Sequence, residues 1–202
     1  IADITDERRI LGLPSDWITR DGTVIDLTAI PDSPTDAYDP KRYALQAAWK
    51  RWYDEVRRYR LHVVQQVEAI PELAEVEIYR CMRDPLYFMC VYAWIYEARE
   101  EQGLGSGFLP AIPFPFQHDI IRWLERRLAG KGAGANGFIS KSRDMGATWY
   151  SVLFVLHQFL FTEPFIAKLI SRREDLVDNA GDMDSMMERI SANMELLPPW
   201  ML

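Results

Sequence analysis

NGFISKSRDMGATWY, from Asn136 to Tyr150, is the stretch that decides how this chain is interpreted. An apolar run of strand character enters a tight polar loop, and an apolar helix follows it. This order is typical of a phosphate-binding loop, whose consensus is G-x-x-x-x-G-K-[ST]. Gly146 and Thr148 stand where that consensus places its last glycine and its magnesium-coordinating hydroxyl. Lys141 stands in place of the first glycine, and Ala147 stands in place of the lysine.

The displaced lysine bears on whether the loop still binds phosphate. Backbone N–H groups alone do not neutralise a triphosphate, so a phosphate cradle needs a cation. Lys141 and Arg143 supply positive charge from the other end of the loop. We therefore interpret the departure as a relocated lysine. The alternative is an ordinary strand-turn-helix that contains a glycine by chance.

A second apolar run follows the helix that begins near Gly146. Phe165–Ile170 has strand character, and the charged segment Ser171–Asp175 comes directly after it. Strand, loop, helix and strand in this order predict a right-handed βαβ unit. The sequence therefore predicts an α/β fold, a parallel sheet of the P-loop NTPase type (RecA/ASCE-like) flanked by helices, with ligands beyond the carboxyl ends of the strands. A last amphipathic helix is expected over about Asp184–Leu196.

A glutamine stands at the start of the helix ahead of the loop, in the motif PFPFQHDII. The side chain of Gln117 offers a donor and an acceptor, which match the paired acceptor and donor of the adenine edge. Phe114 and Phe116 are placed to stack on a base. Taken alone, a glutamine at a helix start is an ordinary surface residue. Its position before a phosphate loop is what favours adenine binding.

The residues before this region predict a helical lead-in. Residues 1–38 predict an irregular arm or a small hairpin, because Asp21-Gly22 is a turn signal between short β-prone runs. Apolar residues at three- and four-residue spacing predict a helix over Pro40–Ala69. Its basic opposite face either contacts DNA or an acidic partner, or is simply solvated. A buried helix is expected from Asp84-Pro85 through Ile95, and the domain boundaries are placed after residues 38 and 107.

Composition narrows the class of protein. With 202 residues, 49% of them hydrophobic, the chain has enough apolar material to bury a core. The formal net charge of −7 argues against a basic nucleic-acid-binding protein as a whole. Cys81 and Cys90 have no histidines at metal-binding spacing, so we expect buried free thiols. The longest apolar run, Pro85–Tyr96, is too short to span a bilayer.

Four motifs occur in order along the second half of the chain: PFPFQHDII, KSRDMGATW, LISRREDLVD and MDSMMERISANMELLPPW. Together they resemble the ATPase domain of the large terminase subunit of tailed bacteriophages, the DNA-packaging motor. That family places a glutamine adenine motif ahead of a deviant Walker A loop. In some members the loop lysine is moved to the front, as Lys141 is here. The resemblance covers residues 108–202, and residues 1–107 match only as a helical lead-in.

The resemblance implies a role for each part of the loop. Lys141 would neutralise the β- and γ-phosphates of ATP, and Arg143 would act in cis on the transition-state charge. Thr148 would coordinate Mg²⁺, and Gln117 would contact adenine. The nucleotide-binding residues that it implies are Phe116, Gln117, Ser142, Asp144, Met145, Gly146, Ala147, Thr148 and Trp149.

Other residues depart from the family pattern or extend it. Asp144 is an acid inside the loop and would oppose binding if it faced the triphosphate. Arg172 and Arg173 are implied to sense the nucleotide or to contact a neighbouring subunit. The Asp-Glu pair that holds magnesium and polarises the attacking water is missing, because Glu174-Asp175 follows two arginines. We therefore expect the N-terminal portion of a longer protein that also has a nuclease domain, and poor binding and hydrolysis of ATP by this portion alone.

The function implied is ATP-driven translocation of double-stranded DNA into the procapsid. The implied partners are double-stranded DNA, the portal protein and the small terminase subunit, within a homo-oligomeric ring. The implied location is the host cytoplasm, docked on the procapsid and absent from the mature virion. Two alternatives belong to other classes: a truncated assembly or docking domain without turnover, and an unrelated P-loop enzyme such as a small-molecule kinase. The kinase alternative predicts a substrate pocket and a lid, and the sequence gives no sign of either.

Overall fold

The computed structural model describes residues 17–18, 24–25, 42–98, 107–130, 136–141 and 145–202. The chain divides into two compact units, Ile1–Arg80 and Cys81–Leu202. Each unit buries apolar side chains of its own. Among the described residues, no helix is both long enough and apolar enough to cross a bilayer.

The first unit contains a short hairpin and a long helix. Strand β1 (Trp17–Ile18) pairs antiparallel with strand β2 (Val24–Ile25), which favours the small hairpin over the irregular arm, the two alternatives predicted for residues 1–38. The turn itself lies outside the described residues. Helix α1 (Arg42–Ala69) confirms the long predicted helix. Its apolar stripe is buried at Tyr53, Val56, Tyr59, Val63 and Val67. The side chains of Leu45, Trp49 and Trp52 lie outside the described residues.

The basic face of α1 is only partly exposed. Arg57 and Arg58 are exposed, but Arg60 is buried. Helix α2 (Leu73–Arg83), which was not predicted, adds a buried ion pair, because Arg80 Nη1 donates to Glu77 Oε1 at 2.7 Å. A buried charge needs such a partner to offset its desolvation.

The second unit begins with a helix that is shorter than predicted. Helix α3 (Pro85–Val91) starts as expected, because the Asp84 carboxylate accepts a hydrogen bond from the Leu86 N–H at 2.9 Å. The helix ends at Val91, so the prediction of a helix through Ile95 is wrong. The Asp84 carboxylate also accepts hydrogen bonds from the guanidinium of Arg122, at 3.1 and 3.2 Å.

The residues after α3 form a hairpin instead of a helix. Strand β3 (Trp94–Glu97) pairs antiparallel with strand β4 (Gly107–Pro110), with Ile95 opposite Leu109. Aromatic and β-branched residues such as Trp94 and Ile95 favour a strand when a partner strand lies beside them. The pairing with β4 therefore outweighs the local apolar pattern from which a helix was predicted.

Three longer helices complete the second unit. They are α4 (Pro115–Ala129), α5 (Ala147–Phe161) and α6 (Met186–Leu196), with 3₁₀ turns at Glu174–Leu176 and Pro199–Met201. These confirm the helices predicted near Phe116, from Gly146 and before Leu196. Side chains buried between them include Leu86, Phe88, Ile121, Leu153 and Leu156. Neither Cys81 nor Cys90 forms a disulfide bond within the described residues, and both are buried, as predicted.

A series of hydrogen bonds links buried polar groups in the second unit. His157 Nε2 donates to the Cys81 carbonyl at 2.6 Å, because a carbonyl only accepts. The other ring nitrogen, Nδ1, then accepts from Gln158 Nε2 at 2.9 Å. Burial lowers the pKa of His157, and the Cys81 carbonyl and the Asp84 carboxylate only partly offset that effect. The neutral ring therefore satisfies both of its hydrogen bonds.

The predicted parallel sheet of a P-loop NTPase is wrong. In the described ranges the sheets are the two antiparallel hairpins, and residues 136–141 and 165–170 form no strand. Phe138 is fully exposed, and Ile166 and Ile170 are largely so. A strand forms when a neighbour takes up its N–H and C=O groups. No strand in the described residues pairs with either run, so the two runs remain exposed connections in a largely helical unit.

Candidate functional site: a cavity at the start of helix α5

A cavity of about 600 Å³ lies where helix α5 begins. Ligand pockets in proteins commonly have volumes of about 300–1,000 Å³. Its wall includes the end of β3, Lys141, the first turn of α5, the loop before α6 and one residue of α6 itself. The lining residues are Tyr96, Glu97, Ala98, Lys141, Gly146, Ala147, Thr148, Trp149, Gly181, Asp182, Met183, Asp184 and Arg189.

The first turn of α5 lines this cavity with Ala147, Thr148 and Trp149. Gly146 precedes the helix with φ of +68°, in the left-handed region. The first N–H groups of a helix have no acceptor within the helix. Within the described part of the chain, no side chain accepts from the N–H groups of residues 147–149. A helix start of this kind favours an anion, because the N–H groups and the helix dipole act in the same direction.

Gln117 connects the start of α4 to the start of α5. Its Oε1 accepts from the Phe114 N–H at 2.8 Å, and its Nε2 donates to the Met145 carbonyl at 3.0 Å. The residue is only 5% exposed. A Cβ on Gly146 would lie 2.6 Å from Gln117 Nε2, so the glycine permits this close approach. Both amide atoms of Gln117 therefore have partners inside the protein, and the adenine contact stays a prediction.

The structure brings together some of the predicted site residues. Lys141 and Thr148 are exposed side chains on the wall of the same cavity, with Gly146 and the buried Ala147 beside them. Trp149 also lines the cavity, and Met145 contributes its carbonyl to Gln117.

Other predicted residues cannot be placed beside the cavity. Ser142, Arg143 and Asp144, and the side chain of Phe116, lie outside the described residues. Arg172 and Arg173 do not line the cavity, and both are exposed. Arg173 instead pairs with the carboxylate of Asp175, which raises the pKa of the arginine.

Arg189 was not predicted from the sequence. It is the second cationic residue on the described part of the cavity wall. Its side chain is only 9% exposed, and its guanidinium carbon lies 4.4 Å from the centre of the Trp149 ring. Arg189 Nε donates to the Met183 carbonyl at 2.7 Å. Burial lowers the pKa of this arginine, and the carboxylates of Asp184 and Asp182 oppose that effect.

One signal in the sequence points to this face of α6. Ser185, Arg189 and Asn193 recur at four-residue spacing, which places them on one side of a helix. All three are buried. The Asn193 side chain accepts from the Trp94 N–H at 2.7 Å and donates to the Trp94 carbonyl at 3.0 Å. The polar row therefore attaches α6 to β3 and directs Arg189 to the cavity.

The loop that precedes α6 is held by its own hydrogen bonds. Ser185 Oγ donates to the Val177 carbonyl at 3.0 Å and accepts from the Asn179 N–H at 3.0 Å. The Asp182 carboxylate accepts from Asn179 Nδ2 at 3.1 Å and from the Asp184 N–H at 2.9 Å. Asp182 is thus used within the loop, whereas the Asp184 side chain is 84% exposed.

The charges on the described part of the wall are mixed. Lys141 and Arg189 are cationic, and Glu97, Asp182 and Asp184 are acidic. Within the described residues, no group of three or more His, Cys, Asp or Glu side chains is arranged to hold a metal ion. The coordination of Mg²⁺ by Thr148 therefore stays a prediction that requires the nucleotide to contribute phosphate oxygens.

Comparisons of the chain with protein-family models, with curated proteins and with solved structures found no match.

Proposed function

We propose that the cavity at the start of α5 binds the phosphates of ATP. The observation that carries the proposal is the convergence of three motif positions, Lys141, Gly146 and Thr148, on one cavity at a helix start. The loop motif alone predicts the same three residues for phosphate binding. Phosphate binding needs N–H donors, a cation and close backbone approach, and none of these requires a parallel sheet.

The charge on the wall makes Mg²⁺ part of the proposal. The described wall carries two cationic and three acidic side chains. An unaccompanied triphosphate would meet this net negative wall unfavourably, whereas a bound Mg²⁺ offsets much of its charge. We therefore expect ATP binding to be weak and strongly dependent on Mg²⁺, with Thr148 as the protein's hydroxyl ligand.

The larger function that we propose is that of a large terminase subunit, an ATPase motor of viral DNA packaging. Its support is the resemblance of four ordered motifs, of which KSRDMGATW contributes to the cavity wall. The partners that this proposal names are double-stranded DNA, the portal protein and the small terminase subunit. The protein would act in the host cytoplasm as a ring of copies around the DNA.

The experiment is a titration of the 202-residue chain with ATP, extended to millimolar concentration, with and without Mg²⁺. Binding is followed by ³¹P NMR. The test variant is Lys141→Ala, and the matched control is Lys168→Ala, which removes an exposed lysine away from the cavity. A charge-assisted hydrogen bond contributes about 1.5–3 kcal/mol, so we expect the Lys141 variant to bind about tenfold to hundredfold more weakly. The control should bind like the parent chain.

Equal affinities for the two lysine variants would overturn the assignment of Lys141. Binding that is indifferent to Mg²⁺ would contradict the charge argument. A chain that binds no ATP at millimolar concentration would refute the nucleotide site as a whole.

A second candidate function, assembly without turnover, is favoured by a different observation. The runs 136–141 and 165–170 expose Phe138, Ile166 and Ile170. A contiguous apolar patch is typical of a surface that another protein covers, and the assembly function requires that these side chains belong to such a patch. In this case Phe138→Ser and Ile166→Ser would abolish capture by immobilised portal protein or small subunit and leave ATP binding unchanged. Unchanged capture by both variants would count against the assembly function.

A further inference from the structure

Arg189 has an arrangement that packing alone does not explain. Its side chain is about nine-tenths buried on the wall of the cavity. Nε is used by the Met183 carbonyl, but within the described residues the two terminal amino groups have no hydrogen-bond acceptor. The nearest carboxylate, Asp184 Oδ1, lies 3.7 Å from Nη2, which is beyond hydrogen-bond distance. Neither terminal nitrogen of Arg189 is among the fully buried unpaired atoms of the described residues, so both are accessible at the cavity wall and can donate to a bound anion.

The surroundings hold the guanidinium in one orientation. The Trp149 ring lies against it at 4.4 Å, and the Nε bond to Met183 sets its position along the ring. Stacking on an aromatic face leaves the edge of the planar guanidinium available for a planar or tetrahedral anion. Trp149 directly follows Thr148, so Arg189 is attached to the same first turn of α5 that presents the backbone donors.

We propose that Arg189 is a second phosphate-binding cation of the cavity, and that its guanidinium exchanges the distant Asp184 carboxylate for a phosphate of the bound nucleotide. This inference rests on the proposed ATP site. It adds a cation from α6 to the two elements that the loop motif supplies, the Lys141 side chain and the start of α5.

Two independent features of this cavity point to an anion. One is the start of a 15-residue helix whose first turn lines the cavity and whose first N–H groups have no described side-chain acceptor. The other is the buried Arg189 with its terminal donors unpaired within the described residues. Asp184 binds weakly because its side chain is 84% exposed, so a phosphate competes with it easily.

The exchange with Asp184 provides a readout that a merely structural arginine would not affect. Asp184→Asn removes the competing carboxylate without altering Arg189. We expect this variant to bind Mg²⁺·ATP more tightly by up to about fivefold, the range of other surface ion pairs. In the Arg189→Gln background the gain should largely disappear, because no guanidinium remains to be released. Asp178→Asn is the matched control, since it removes the same charge from an exposed position outside the cavity wall.

The experiment titrates the full 202-residue chain with Mg²⁺·ATP and with Mg²⁺·pyrophosphate, by ³¹P NMR. Arg189→Gln keeps an uncharged side chain against Trp149 and should weaken binding of both ligands about tenfold to hundredfold. Arg189→Lys keeps the charge but loses the planar donor edge, so its loss should be smaller. Thermal unfolding without ligand reports whether each variant is folded. If Arg189→Gln does not fold, Arg189→Lys and Asp184→Asn carry the test.

The outcomes separate this inference from the proposed function. Loss of binding in Lys141→Ala with parent-like binding in Arg189→Gln would overturn the role of Arg189 and leave the ATP site standing. An Asp184→Asn gain that persists in full in the Arg189→Gln background would overturn the exchange. Failure of the parent chain to bind either ligand would overturn both proposals.

Discussion

Replacing Gly146 with alanine tests the geometry at the start of α5. The φ of +68° at this position costs an L residue about 1–2 kcal/mol. An added Cβ would also lie 2.6 Å from Gln117 Nε2, so the amide has to move away and its bond to the Met145 carbonyl is lost. Leaving a buried polar group unpaired costs about 1–3 kcal/mol. We therefore expect the free energy of unfolding to fall by about 2–5 kcal/mol.

Gly181 provides the matched control for this substitution. Its φ is +82°, but no atom lies within 4 Å of an added Cβ. Gly181→Ala should therefore lower the free energy of unfolding by the backbone contribution only, about 1–2 kcal/mol. A further variant combines Gly146→Ala with Gln117→Ala, in which the obstructing amide is absent. The two substitutions should couple by about 1–3 kcal/mol in a double-mutant cycle.

The assay is urea unfolding followed by far-UV circular dichroism, with free energies compared at equal m-values. Equal losses in Gly146→Ala and Gly181→Ala would refute the steric part of the reasoning. Additive effects of Gly146→Ala and Gln117→Ala, within about 0.5 kcal/mol, would show that Gln117 does not clamp the loop.

Two further predictions concern buried side chains of the second unit. Because burial lowers the pKa of His157 below its usual 6.5, the unfolded chain binds a proton first as the pH falls, so the free energy of unfolding should decrease below about pH 6.5. His157→Gln should reduce this pH dependence in urea unfolding, and an unchanged slope in the variant would contradict the assignment. Asn193→Leu removes the hydrogen bonds to Trp94 N–H and carbonyl and to the Arg189 carbonyl, so the free energy of unfolding should fall by about 2–4 kcal/mol. A thermal unfolding midpoint equal to that of the parent chain would count against this attachment of α6 to β3.

Apart from α2 and the end of α3, the described helices were predictable because their signals are local. The apolar spacing of α1, the Asp84 cap of α3 and the glycine before α5 each act within a few residues of the element that they define. Where a local signal competed with a distant partner, the prediction failed. Trp94–Glu97 continued an apolar run that looked helical, yet it pairs with Gly107–Pro110. No feature of the run itself indicates that pairing.

The residues of the candidate site also divide into those that a local motif predicted and one that it did not. The loop motif predicted that Lys141, Gly146 and Thr148 bind phosphate, and these three residues line one cavity. Arg189 was not predicted, because it comes from α6, which is far from the loop in sequence. The polar row Ser185, Arg189 and Asn193 was visible, but a row of polar residues usually marks a solvated face.

Local sequence signals were enough to predict every described helix except α2, and also the turn at Gly146 and the loop residues, since backbone preferences and apolar periodicity are properties of neighbouring residues. The hydrogen-bond partners of the remaining backbone groups depend on tertiary contacts. Within the described residues, no strand pairs with the apolar runs 136–141 and 165–170, for which the sequence had predicted strands of a parallel sheet. The side chain of Gln117 forms hydrogen bonds with the Phe114 N–H and the Met145 carbonyl. The guanidinium of Arg189 lies against the Trp149 ring. The physical reason is that strand pairing, burial and the partner of a charge depend on residues that are distant in sequence. A local sequence pattern contains no information about which of these residues come into contact.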